Sequence, residues 1–177
     1  MNIAIVGATG NVGRKTLEVL EKKKLSIENL YLVASSKSVG KKISFKSKDH
    51  EVYDLESFDF AKVKIAFFAA GGKISEKFAK KAAKNCFVID NSSFYRMDPD
   101  VPLIVPQVNS NHLNNIKKNI IANPNCSTAQ LVIALKPLHD LFIIKRIVVS
   151  TYQSVSGGGK APMDELIEQT KLVLEGK

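Results

Sequence analysis

MNIAIVGATGNVGRKTLEVLEKK, residues 1–23, sets the architecture from which the other segments are read. Ile3–Val6 is a short apolar run that stops at Gly7. From about Val12 to Lys23 the periodicity becomes helical, with Val12, Leu17 and Leu20 available to one face. Between them lies GATGNVG, residues 7–13, directly after a strand and directly before a helix. In that setting each glycine has a physical use: Gly7 permits a tight turn, Gly10 lets the backbone approach a pyrophosphate, and Gly13 allows close helix–sheet packing. The amides opening the helix, aided by its dipole, then face the phosphates. The spacing is G-x-x-G-x-x-G rather than the commoner G-x-G-x-x-G, and the plain alternative is a turn that holds no ligand.

Further along the chain, Leu30–Ala34 reads as a second strand, Lys41 to Asp54 as polar and irregular with a hairpin through Ile43–Phe45 and Glu51–Tyr53, and Ile65–Ala69 as a strongly apolar strand closed by Gly71-Gly72. Glu76–Lys84 reads as a lysine-rich surface helix with Phe78 and Ala82 inward, and Phe87–Asp90 and Ile120–Ala122 as further strands. Strands that are apolar throughout and separated by helices indicate a parallel sheet covered on both faces, the doubly wound α/β class with Rossmann-like topology. After Asn125 the character changes. A helix is expected from about Ser127 to Leu138, stopped at Pro137, then a long strand over Phe142–Gln153, a break at Gly157-Gly158-Gly159, and an amphipathic helix from Pro162 to about Leu174. Residues 1–125 are therefore read as a nucleotide-binding domain, and 126–177 as the opening of an incomplete α+β domain.

Nicotinamide dinucleotide binders that use NAD place a carboxylate at the end of the second strand, where it holds the ribose 2′-hydroxyl. Here that stretch is Ala34-Ser35-Ser36-Lys37-Ser38-Val39-Gly40-Lys41, hydroxyls and cations without a carboxylate. It suits a 2′-phosphate, so NADP is expected over NAD.

Length and composition bound the remaining possibilities. One hundred and seventy-seven residues, 45% hydrophobic and 24% charged, suit a soluble globular chain and argue against disorder or low complexity. No apolar run reaches the roughly 20 residues of a membrane span, and the apolar start lacks a basic leader. Two cysteines make no disulfide framework, which fits a reducing cytoplasm. The net charge of +9 is spread over scattered lysines with no base-reading or zinc-finger motif, so solvated lysine faces are preferred to nucleic-acid binding and no metal site is expected.

Of the two cysteines, Cys86 lies in a strand-like run and reads as a small buried hydrophobe. Cys126 lies in NPNCSTAQ, residues 123–130, where Pro124 holds Asn123 out of helix and so places Cys126 at the first helical turn. A thiol there is favoured as thiolate, the form a nucleophile needs, and the nearby amides suit an oxyanion.

With these residues in place, GATGNVG at 7–13, AFFAAGG at 66–72, VIDNSSFYRMDPDVPLIVPQVN at 88–109, NPNCSTAQL at 123–131 and TYQSVSGGGKAPMDEL at 151–166 together resemble the aspartate-β-semialdehyde dehydrogenase family, in the family's order and spacing across essentially the whole chain. The related N-acetyl-γ-glutamyl-phosphate reductases share the chemistry but usually carry a cysteine context closer to NPGCYPT. The resemblance implies NADP-dependent reductive dephosphorylation of L-aspartyl 4-phosphate to L-aspartate 4-semialdehyde through a thioester on Cys126, in the pathway to lysine and diaminopimelate, threonine, methionine and isoleucine. It implies Arg96 and Asn125 at the phosphate or substrate, Gln153 as a catalytic residue that orients the substrate, and Gly7, Thr9, Gly10, Asn11, Val12 and Gly13 along the cofactor phosphates. Ser35, Lys37 and Ser38 would lie by the 2′-phosphate, Ala70 and Gly71 along the cofactor, and Ser156 and Gly157 near the nicotinamide. It also implies a homodimer.

Family members are about twice this length. Their general-base histidine, substrate-carboxylate arginine, second phosphate-binding lysine and C-terminal return helix lie past residue 177. His50, His112 and His139 read as surface or structural residues, not as replacements for that base. The expectation is a cofactor domain plus nucleophile with little or no turnover on its own, since losing a general base forfeits about 10²–10⁴ in rate. An N-acetyl-γ-glutamyl-phosphate reductase-like enzyme and a non-catalytic NADP-binding fragment are the other readings kept open.

Overall fold

The computed structural model describes residues 1–176. Seven strands form one mixed sheet: β1 (Ile3–Val6), β2 (Leu30–Ala34), β3 (Lys42–Phe45), β4 (Lys48–Asp54), β5 (Ile65–Phe68), β6 (Phe87–Asp90) and β7 (Ile120–Ala122). Their order is β3-β4-β2-β1-β5-β6-β7. All neighbouring pairs are parallel except the β3–β4 hairpin at the edge. The doubly wound Rossmann-like class is borne out. The chain leaves β1 toward β2 and later returns to its other side at β5, so the topological switch falls at the carboxyl ends of β1 and β5.

Successive residues of each strand face opposite layers. Ala4, Val6, Val33, Ala66, Phe68 and Val88 join one core, and Ile3, Ile5, Leu32, Ala34 and Val52 join the other. The first core is closed by helix α2 (Gly72–Ala82, four residues earlier in starting than the periodicity suggests) through Phe78, Ala79 and Ala82. The second is closed by helix α1 (Asn11–Lys22) through Leu17 and Leu20, with Ile43 and Phe45 of the hairpin. Val12 does not join them. It is 45% exposed, because the first turn of α1 lies at the sheet's end. On the α1 side Phe67, Ile89 and Ile121 are only half-buried. There a groove of about 400 Å³ runs between α1 and the ends of β5 and β6, so coverage of this face is partial.

A short helix α3 (Pro106–Asn109) precedes β7, and α4 spans Cys126–Phe142. The stop expected at Pro137 does not occur. Proline removes one amide from the ladder, and Lys136 and Asp140 pair across it. The helix ends instead at Ile143, whose backbone is left-handed at φ 52° and whose amide bonds to the His139 carbonyl at 2.9 Å. The long strand expected over Phe142–Gln153 is absent: residues 144–154 carry no regular structure. A strand exists through its ladder partners, and no described strand pairs with this segment.

Contacts divide the chain into two compact units, Met1–Ile144 and a second from Lys145 onward. The second holds a 3₁₀ turn at Val155–Gly158 and helix α5 (Lys160–Leu174), two residues longer at its start than expected. Leu166, Ile167, Leu172 and Val173 are all exposed. No described helix is long and apolar enough to cross a membrane.

Candidate functional site

The turn after β1 is built as a cradle. Gly7 has φ 86°, and a Cβ there would lie 2.8 Å from the Ala69 carbonyl oxygen. At Gly13 a Cβ would meet the Gly7 carbonyl oxygen at 2.2 Å and the Ala8 Cα at 2.8 Å. α1 can therefore press against the turn only because residue 13 has no side chain. At Gly10 a Cβ would meet nothing nearer than 3.4 Å, so the space there opens outward. Gly10 is also the N-cap of α1 and has no side chain to occupy the first-turn amides. Thr9 is half-buried, and Arg14 folds back to donate from Nε to its carbonyl at 3.3 Å. Asn11 and Val12 open the helix itself.

Two more loops reach the same edge of the sheet. Ser35 caps a 3₁₀ turn at Ser36–Ser38, directly after β2; Ser35 and Lys37 are exposed and Ser38 is buried. Gly71, φ 86°, caps α2 after β5, with half-buried Ala70 before it. Two helix amino ends, a serine pair and a lysine thus stand at the carboxyl edge, a donor set that fits a phosphorylated dinucleotide.

Cys126 is the first residue of α4 and is exposed. Asn125 is its N-cap: Oδ1 accepts from the Ser127 amide at 3.0 Å, the Ser127 hydroxyl at 2.7 Å and the Cys126 thiol at 3.7 Å. The Ser127 amide is therefore not available to an oxyanion, and a substrate contact by Asn125 falls to Nδ2. Cys86 is the opposite kind of thiol. It is buried, donates to the Ala82 carbonyl at 3.3 Å, and burial pushes its pKa up to about 11.

Arg96 is brought next to this loop. Its Nε donates to the Asn123 carbonyl at 2.9 Å and its Nη2 to the Asn91 carbonyl at 3.3 Å. The loop bearing Arg96 is anchored on its far side by Lys118, which pairs with Asp98 at 2.9 Å and Asp100 at 3.2 Å. Hydrogen bonds from Lys118 and the Asp100 amide hold the Asp98 carboxyl below its usual range, and the Asp98 bond raises Lys118. Beneath the loop, fully buried Asp90 accepts from the Ser75 hydroxyl at 2.7 Å and from the Ser92 amide and hydroxyl at 3.0 and 2.8 Å. Sequence reading passed over Asn91, Asn123, Arg14, Asp90 and Lys118. Asp90, Asn91 and Asn123 lay inside the 88–109 and 123–131 blocks, Arg14 and Lys118 outside them, and the partners of Asn91, Asn123 and Lys118 are distant in sequence.

Within the second unit, Gln153 and Gly157 meet: a Cβ on Gly157 would lie 1.8 Å from the Gln153 Nε2. The Ser154 and Ser156 hydroxyls are 2.9 Å apart.

Comparison with known proteins gives a consistent answer. A family model described as "Semialdehyde dehydrogenase, NAD binding domain" matches residues 2–116, and one described as "Semialdehyde dehydrogenase, dimerisation domain" matches residues 135–177. The chain is 53% identical to the aspartate-semialdehyde dehydrogenase of Rickettsia bellii over 96% of its own length and 51% of that protein's. It thus spans about half the length of the curated relatives it matches. Among solved structures it is similar to aspartate semialdehyde dehydrogenase II of Vibrio cholerae complexed with ASA, with TM-score 0.95 and 50% identity, covering 99% of this chain and 53% of that one. It is also similar to the Candida albicans enzyme solved with NADP, with TM-score 0.67 and 32% identity, covering 81% and 48%.

Proposed function

The chain belongs to the semialdehyde dehydrogenase family, and from that premise we propose that it carries the cofactor domain, residues 1–125, and the nucleophile of an aspartate-semialdehyde dehydrogenase. The observation that carries this reading is an exposed thiol opening α4 with Arg96 hydrogen-bonded three residues before it. Similarity to the V. cholerae enzyme complexed with ASA supports the substrate class.

In the reductive direction, the Cys126 thiolate attacks the acyl carbon of L-aspartyl 4-phosphate. The carbon–oxygen bond to phosphate breaks, inorganic phosphate leaves, and a thioester remains on Cys126. The remaining guanidinium donors of Arg96 hold the phosphate, a geometry suited to a forked cation. Gln153 orients the acyl group, with Gly157 giving its amide room. NADPH, when bound, supplies the hydride that turns the thioester into the aldehyde and releases the thiolate. Gly7 to Gly13 would hold its pyrophosphate, Ala70 and Gly71 its length, and Ser156 and Gly157 its nicotinamide end. Ser35, Lys37 and Ser38 would select the 2′-phosphate.

The product feeds amino-acid biosynthesis, in a homodimer located in the cytoplasm. Residues 1–177 by themselves bind cofactor and acylate without turning over. His50 packs against Phe45, His112 lies 3.4 Å from the Asn109 amide, and His139 lies 13 residues from Cys126 along α4, about 20 Å at 1.5 Å per residue.

The test is acylation. An acyl phosphate should leave a hydroxylamine-labile mass on Cys126 and none in Cys126→Ala; label on lysines alone would refute the assignment. Calorimetry should show NADPH binding tighter than NADH, and the reverse order would overturn the cofactor choice.

A further inference from the structure

The two residues whose carbonyls receive Arg96 are also joined to each other. Asn123 Nδ2 donates to Asn91 Oδ1 at 2.6 Å and to the Pro124 carbonyl at 3.2 Å. The second bond fixes the amide's orientation: a carbonyl only accepts, so the Asn123 atom between them is the nitrogen, and the Asn91 atom facing it is the oxygen. The Asn123 amide in turn donates to the Asp90 carbonyl at 3.1 Å, and the Asn91 amide to the Phe68 carbonyl at 2.9 Å. A closed ring results: Asn91 to Asn123 through side chains, and both to Arg96 through their carbonyls. It links the loop after β6, which carries Arg96, to the loop after β7, which carries Cys126.

We propose that Asn91 and Asn123 are positioning residues whose mutual side-chain hydrogen bond fixes the spacing between Arg96 and the Cys126 thiol. The functional meaning rests on the reading of Cys126 as nucleophile and Arg96 as phosphate ligand; the ring itself does not. The acyl phosphate and the thiol that attacks it must meet within contact distance, and a loop free to drift by an ångström forfeits much of that advantage. Neither asparagine is buried deeply enough to serve as core: Asn91 is exposed and Asn123 half-buried. Their side chains also line the groove beside α1, so the bond between them replaces two solvated amides with one fixed strut.

The roles differ, and that makes them testable. Asn91 acts as an acceptor, which aspartate reproduces; Asn123 acts as a donor, which leucine and aspartate do not. Amide hydrogen exchange at Asn123, with β1 amides as the measure of global unfolding, should be unchanged in Asn91→Asp. It should be about tenfold faster in Asn91→Leu and in Asn123→Leu, the loss expected for one net hydrogen bond, and still only about tenfold faster than the unmodified protein in the double variant, not a hundredfold. Inorganic phosphate should protect Cys126 from iodoacetamide, at a concentration that either leucine variant raises; Asn91→Asp, which adds a negative charge beside Arg96, is read by exchange alone. Equal loss in Asn91→Asp and Asn91→Leu, additive loss in the double variant, or no change in any variant would overturn the strut. Failure of phosphate to protect the unmodified protein would instead overturn the Arg96 phosphate assignment and leave the exchange result to decide the ring.

Discussion

Gly13 and Gly10 sit three residues apart in one turn, yet the structure gives them separable jobs. A methyl at residue 13 would stand 2.2 Å from the Gly7 carbonyl oxygen and 2.8 Å from the Ala8 Cα, both backbone atoms. Ordinary contact begins near 3.4 Å, so α1 would have to retreat by about 1 Å to admit it. Overpacking of that kind costs about 1–3 kcal/mol, which for a domain of this size lowers Tm by roughly 3–10 °C. The same retreat moves the first-turn amides away from the phosphate, so nucleotide affinity falls as well. At residue 10 a methyl would meet the nearest atom at 3.4 Å, and φ is −80°, which alanine accepts. Gly10→Ala should therefore keep Tm within about 1–2 °C, since the loss from alanine's poorer N-cap is offset by the lower entropy of the unfolded chain at a backbone conformation alanine accepts. It should still lose nucleotide affinity by tenfold or more, because its methyl points where a pyrophosphate would approach. Thermal unfolding followed by circular dichroism, paired with calorimetric titration of NADPH, separates the two. If Gly10→Ala unfolds as early as Gly13→Ala, or binds NADPH like the unmodified chain, the division of labour is wrong.

The thiols offer a second check. With its pKa near 11, Cys86 is thiolate in about one part in a thousand at pH 8, so brief iodoacetamide treatment should add one mass increment, on Cys126, and a second only on unfolding. Double labelling of the folded protein would contradict the burial of Cys86. Third, Lys118→Met should flatten the acid limb of stability. Asp98 is lowered in the fold, so its contribution is present above the unfolded value of about 3.9 and lost as pH falls through the lower folded value. Lys118 is raised, so its share is present below about 10.4 and lost as pH rises through the higher folded value. Because the pair is partly solvated, the effect at pH 7 should be only about 1–2 °C in Tm, and a change confined to neutral pH would refute the assignment.

Much of this protein was legible from residue order because the relevant physics is local. A strand that stops at glycine, a glycine-spaced turn and an amphipathic helix report themselves within a dozen residues, and the same holds for a proline that delivers a cysteine to a helix start. The parallel sheet followed from apolar strands alternating with helices, and the serine and lysine loop after β2 from what it lacks. Three features needed tertiary information. Pro137 left α4 running because one missing amide does not outweigh the turns on either side, with Lys136 and Asp140 paired across it. The segment 144–154, with its β-branched Ile147, Val148 and Val149, formed no strand, since β structure is a property of pairs and side-chain type says nothing about who lies alongside. The asparagine ring around Arg96 joins residues 27 and 32 positions apart. Hydrogen bonds across such separations leave no periodicity in sequence, because only the adjacency of β6 and β7 in the sheet brings their loops together.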